Sequence, residues 1–106
     1  MVGESKSMRV TSKKLRDSAR GAECQVRLPG ICNFNSETTI PAHVGSGGGM
    51  ASKVSDLFIA HCCSACHDEI DGRTSTMDAN LVELYAFHGV QRTQQLWLDK
   101  ELIKLP

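Results

Sequence analysis

The sequence predicts a small α+β domain braced by a bound metal rather than by a large apolar core. Three observations carry this. Among 106 residues there are one Trp, one Tyr and three Phe, so large rings cannot fill the interior of a chain short enough to need a staple. Five cysteines, an odd number, do not suit a disulfide framework. Two pairs of them, Cys24-x7-Cys32 and Cys63-x2-Cys66, have spacings that can close a tetrahedral zinc site. The segments between and after these pairs are first β-branched and then helical in period.

Residues 1–10, opening with "MVGESKS", are polar and read as a frayed or disordered N-terminus; residues 11–106 read as one domain. "TSKKLRDSAR" fits a short basic helix capped by Thr11 or Ser12 and stopped at Gly21. In "ECQVRLPGIC" the Pro29-Gly30 turn folds the chain back so that Cys24 and Cys32 can meet. "TTIPAHVG" reads as a strand in which Pro41 calls for an edge or a bulge. A flexible loop, "SGGGMASKVS", follows, then a second strand, "DLFIAHC". "SACHDEIDGR" has helical character with Gly72 near its end. Asp78 caps a further helix, "ANLVELYAFH", with Leu81, Leu84, Tyr85 and His88 on one face and Gly89 ending or kinking it. "VQRTQQLWLDKELIKL" is expected as a last helix with Leu96 and Trp97 facing inward.

Charge is unevenly spread along a neutral chain. Residues 1–56 hold eight basic and five acidic side chains and residues 57–106 hold four and seven, so the halves stand at +3 and −3. The N-terminal excess, with Lys13, Lys14, Arg16 and Arg20 on the first helix, suits phosphate contacts, and equally suits a solvated helix face. The chain opens without an apolar signal segment, and no apolar run approaches a membrane span. The expected setting is therefore a reducing cytoplasm, with no membrane partner.

With Cys24, Cys32, Cys63 and Cys66 assigned to zinc, Cys62 is left over. As the neighbour of Cys63 in an extended segment it should face away as a small core residue. His67 and Asp71, four apart on a helix, share one face and could hold a divalent ion with positions open to water and substrate. The same spacing serves an ordinary surface pair, which spacing alone favours. His43, at the end of the first strand, could act as a general base or be purely structural. His61 and His88 have no comparable context.

Together these pieces resemble the HNH nucleases, the ββα-metal or His-Me finger fold, on "TTIPAHVGSGGG", "SDLFIAHCCSACH" and "DEIDGR". More narrowly, "GAECQVRLPGICN", "ETTIPAH", "CSACHDEIDGRT" and "RTQQLWL" resemble the small YbcO-like nucleases of phages and prophages, from about Lys14 onward. The resemblance implies a zinc-braced ββα-metal core with an N-terminal basic helix and C-terminal helices. It implies a metal-dependent endonuclease acting on phosphodiesters, with DNA as the expected nucleic acid, in a bacterial cytoplasm. His43 matches the water-activating histidine, and Asp56 falls where many members carry an Asn that steadies it. His67 and Asp71 match the positions that hold the catalytic ion, for which a His with a carboxylate suits Mg²⁺, Mn²⁺ or another divalent ion such as Ni²⁺. Cys24, Cys32, Cys63 and Cys66 match the structural zinc knuckles. Arg73, next in sequence to this helix, could reach the scissile phosphate. The chain departs from the pattern in having Ala42 where many HNH enzymes place an Asp or His ligand before the base, and Asp56 in place of Asn. Two other readings stay open: a non-catalytic zinc-containing DNA-binding module, and a phage accessory or adaptor protein using "LVELYAFHGVQRTQQLWL" as a contact surface. A monomer is the working expectation.

Overall fold

The computed structural model describes residues 9–45 and 54–106. The frayed terminus expected over 1–10 and the glycine loop expected over 46–55 lie for the most part outside the described residues. Val10 is inside them and is held: its N–H donates to Ser55 Oγ (3.2 Å) and its carbonyl accepts from Asp56 N (2.8 Å). Helix α1 (Lys13–Asp17) starts at Ser12, whose hydroxyl accepts from Leu15 N (3.2 Å) and so satisfies one of the donors a helix start leaves open. It buries Leu15.

The chain then loops through Cys24 to Cys32. The Pro29-Gly30 turn forms as expected, with Gly30 at φ 73° and both Ile31 N and Cys32 N donating to Leu28 O. Strands β1 (Ile40–His43) and β2 (Ile59–Cys62) pair antiparallel, Ile40 opposite Cys62 and His43 opposite Ile59. The sheet has two strands, so Pro41 sits on an edge, where its missing N–H costs nothing. Asp56–Phe58, expected within the second strand, instead form one 3₁₀ turn ahead of it.

Helix α2 (Ser64–Ile70) follows β2 directly, with Cys63 as its cap. Helix α3 (Ala79–Asp99) starts at Asp78, whose carboxylate accepts from Asn80 N and Leu81 N. It crosses β2, all four of whose residues are buried.

Three expectations about this C-terminal region are corrected. Gly89 neither ends nor kinks a helix: α3 runs unbroken through it. The face that packs is Val82, Ala86, Gly89, Val90, Thr93 and Trp97. Leu81 and Leu84 are exposed, and Tyr85 and His88 are half-buried. The reason is close approach. A Cβ at Gly89 would lie 2.8 Å from Val26 Cγ2 and 3.1 Å from Ala60 Cβ. Small residues at 86, 89 and 93 let the helix lie on β2, which a leucine face would hold off. The expected last helix stops at Asp99. Glu101 takes φ 60°, and Leu102 and Ile103 fold back onto Leu15, Ile59 and Trp97.

Trp97 is in the core, as expected, and its indole N–H donates to Ser18 Oγ (2.8 Å). That hydroxyl donates to Leu15 O (2.6 Å) and lies 3.1 Å from His61 Nε2. Having only one proton to give, it must accept from His61, which puts the ring proton on Nε2. His61 Nδ1 is then a buried acceptor with no partner. Burial, reinforced by Lys100, lowers the His61 pKa to about 4, so the ring is neutral.

Candidate functional site

Cys24, Cys32, Cys63 and Cys66 converge from the turn loop and the start of α2. All four sulfurs lie within 4.8 Å of one another, and all four residues are buried. A tetrahedral site with metal–sulfur bonds of about 2.3 Å has edges of about 3.8 Å; Cys63 and Cys32 Sγ are 3.9 Å apart. Backbone N–H groups already point at three of the sulfurs at 3.4 Å: Arg27 N at Cys24, Leu28 N at Cys66 and Cys66 N at Cys63. Such donors stabilise thiolates and fix ligand direction. The cysteines are all free of disulfides. The four can therefore hold a metal ion, and the donor set is that of a closed structural zinc.

Cys62 is outside this group, as expected, and fully buried. Interaction with the sulfurs of Cys24 and Cys66 drives its thiol pKa up and that of Cys24 down. Burial pushes Cys32 up to about 11. The sulfurs thus compete for protons, a competition that a dication among them would end.

The second cluster is polar and lies at the other end of the sheet. His43 Nε2 is 2.7 Å from Asp56 Oδ1. Asp56 Oδ2 accepts from Ser12 N (2.7 Å) and from Arg16 NH1 (2.5 Å). Burial of Asp56 works to raise its pKa, but hydrogen bonds from His43, Ser12 N–H and Arg16 outweigh it and hold the carboxyl below its usual value. An ionised carboxylate only accepts, so His43 carries a proton on Nε2, and in the neutral ring Nδ1 is the acceptor.

His43 and Asp71 line one open cleft of ≈ 470 Å³, together with Asn80 and Glu83 from the first turns of α3. His67 Nε2 is 3.4 Å from Asp71 Oδ2, the i,i+4 approach that the spacing predicts. Asp71 caps α2, just past its last residue. A histidine and a carboxylate on one helix face leave room for further ligands. Among the described residues no third carboxylate or imidazole closes on this pair as the sulfurs close on theirs. Ala42 is buried, so the position before His43 faces the core and sends nothing into the cleft.

The basic side chains are distributed differently from a simple phosphate-binding arm. Arg16 is taken up by Asp56. Lys13 pairs with Asp17 at 2.6 Å, and Arg20 approaches it at 3.7 Å. Lys14 enters no ion pair among the described residues. Arg73 sits 3.3 Å from Asp68 and 4.0 Å from Asp71, which brings it to the rim of the cleft. Glu69, in the middle of the carboxylate-rich segment, turns inward. It accepts from Thr74 Oγ1 (2.5 Å), Thr76 N and Met77 N (both 2.7 Å), stapling the loop after α2. The Thr74 bond, with help from these N–H groups, lowers its pKa.

Sequence reasoning missed Asn80 and Glu83, which face the cleft only because α3 is offset from the expected face. It also missed the link from Arg16 to Asp56, for which forty residues of separation leave no local signal.

Comparison with known proteins bears on what these two clusters serve. Residues 13–102 match the family described as "Putative nuclease YbcO". Two relatives of that description, one from Escherichia coli (strain K12) and one from Enterobacteria phage 82, are each 50% identical over 92 residues. The match covers 85% of this chain and 96% of each relative. A solved structure described as "a putative bacteriophage protein from Escherichia coli str. K-12 substr. MG1655" is similar with a TM-score of 0.74 and 48% identity. That similarity covers 83% of this chain and all of the other. A match over most of the chain, with half the residues identical to relatives spanned almost end to end, places this chain in the YbcO family.

Proposed function

We propose that this protein is a metal-dependent endonuclease of the HNH type, cleaving phosphodiester bonds in DNA. The observation that carries the reading is His43, paired behind with Asp56, beside Asp71 in one open cleft. Family membership supports it through the description its relatives bear. His43 Nδ1, bare because Nε2 donates to Asp56, takes a proton from a water lined up on the phosphorus. Asp56 holds the ring's orientation and stabilises the imidazolium that forms. His67 and Asp71 hold a divalent ion, Mg²⁺ or Mn²⁺, which supplies Lewis-acid stabilisation at the phosphate when bound. Arg73, at the rim, adds positive charge where the phosphate chain would pass. Lys14, with Lys13 and Arg20 behind it, gives salt-dependent backbone contact. The four-cysteine centre is a structural zinc that keeps α2, and so His67 and Asp71, in place.

The test is nicking of supercoiled plasmid with Mg²⁺ or Mn²⁺ by wild type and His43→Ala. Loss of about 10²-fold or more in the variant is expected for a general base. Equal rates in both would remove His43 from the role. The core-facing Ala42 favours a second reading, a zinc-containing module that binds DNA without cutting it. In that case neither protein nicks, and both bind DNA alike.

A further inference from the structure

We propose that Arg16 is a positioning residue, acting on the His43 base through Asp56, and not a contact to the nucleic-acid backbone. Its kinetic side rests on the nuclease reading; its structural side does not. Four observations support it. Asp56 is almost wholly buried, its side chain 6% exposed, while Arg16 reaches in from α1 with a side chain 40% exposed. Asp56 Oδ2 is held by two donors from the same short segment, Ser12 N and Arg16 NH1. Asp56 N–H is tied to Val10 O. With one oxygen and the backbone fixed, the other oxygen is aimed at His43 Nε2.

Arg16 supplies two things to this arrangement. Its N–H bond restrains the carboxylate rotamer, and so the tautomer of the ring that Asp56 accepts from. Its charge offsets that of Asp56. Asp71 and Glu83 also line the cleft that His43 faces. A backbone contact would instead leave Arg16 pointing outward, as Lys13 and Arg20 do.

The experiment compares wild type, Arg16→Ala, Arg16→Lys and Asp56→Ala in two measurements on the zinc-loaded protein. In the first, plasmid cleavage with Mn²⁺ gives kcat, and oligonucleotide titration at several salt concentrations gives Kd and its salt slope. Arg16→Ala should lower kcat about tenfold and leave Kd and the slope unchanged, with Arg16→Lys recovering part of the rate. In the second, imidazole ¹⁵N NMR should report one Nε2–H tautomer for His43 in wild type. A tautomer mixture is expected in Arg16→Ala and Asp56→Ala. A backbone-contact role gives the reverse: weaker binding, a salt slope smaller by about one, unchanged kcat and an unchanged tautomer, and that result overturns the proposal. If no protein cleaves, wild type included, the nuclease reading falls and the NMR result alone decides. An unchanged tautomer in Arg16→Ala, or in Arg16→Met should the alanine variant not fold, would then overturn it.

Discussion

Replacing Gly89 with Ala separates helix propensity from packing at the contact that sets the fold's depth. On an exposed helix the change would stabilise by about 1 kcal/mol, because Ala loses less backbone entropy. Here the new Cβ lies 2.8 Å from Val26 Cγ2, 3.1 Å from Ala60 Cβ and 3.2 Å from Val26 Cα. Val26 and Ala60 are both fully buried, and two of the three contacts are to backbone or to a Cβ that cannot swing away. Overpacking of this kind costs about 1–3 kcal/mol, so, against the propensity gain of about 1 kcal/mol, a net loss of up to about 2 kcal/mol is expected. Val26→Ala removes the nearest atom. In that background Gly89→Ala should cost about 1 kcal/mol less, a coupling that a double-mutant cycle in urea resolves. The wedge also presses on the metal loop, since Val26 lies between Cys24 and Leu28, whose N–H donates to Cys66 Sγ. Zinc affinity, read by competition with a chromophoric chelator, should fall in Gly89→Ala and recover in the double variant. A Gly89→Ala protein more stable than wild type, or an equal cost in both backgrounds, would refute the packing argument.

Other outcomes follow from the same structure. Cys62→Ala should keep one zinc per chain while Cys66→Ala loses tight binding, as measured by metal content after dialysis; equal loss would bring Cys62 into the site. A chelator strong enough to take zinc should unfold the domain, visible by circular dichroism, because site and fold form together. His61 sets an acid limit. Its unfolded ring protonates near 6.5 and its folded ring only at about 4, so the unfolded state binds more protons in between. About 3 kcal/mol of stability should be lost as pH falls through that window. His61→Gln keeps a donor toward Ser18 and should lack this loss. Parallel stability–pH curves for the two proteins would show the ring is not responsible.

What could be read from the sequence was what depends on short spacing. Cys63-x2-Cys66 and the Pro29-Gly30 turn are local, and both form as expected. His67 and Asp71 meet because a helix puts residues four apart on one face. The face of α3 could not be read this way. Leu81 and Leu84 looked like core by hydropathy, yet the deciding quantity was how near the helix comes to β2, which is a property of Val26 and Ala60 far away in the chain. Arg16 was invisible for the same reason: a basic residue on a basic helix looks like surface until the carboxylate it meets is known. Asp56 was located only by family resemblance, because nothing in its neighbours marks it as the partner of His43.

Two of the walls of the cleft are anchored separately, and this can be tested. Cys63 caps α2 and Cys66 lies in its first turn, so a metal at the cysteines fixes the start and axis of that helix. His67 and Asp71 ride on the same helix, one and five residues beyond Cys66. His43 and Asp56 are fastened elsewhere: the carboxylate to α1 through Ser12 and Arg16, and the strand to β2. Loss of the cysteine centre should therefore displace the proposed ion-holding wall first. In Cys66→Ala, studied by NMR under conditions where the chain remains folded, resonances of His67 and Asp71 should broaden or shift while His43 keeps its Nε2–H tautomer. Arg16→Ala should do the opposite. If either variant disturbs both walls equally, the cleft is one cooperative unit, and the cysteine centre supports the histidine as directly as it supports the helix.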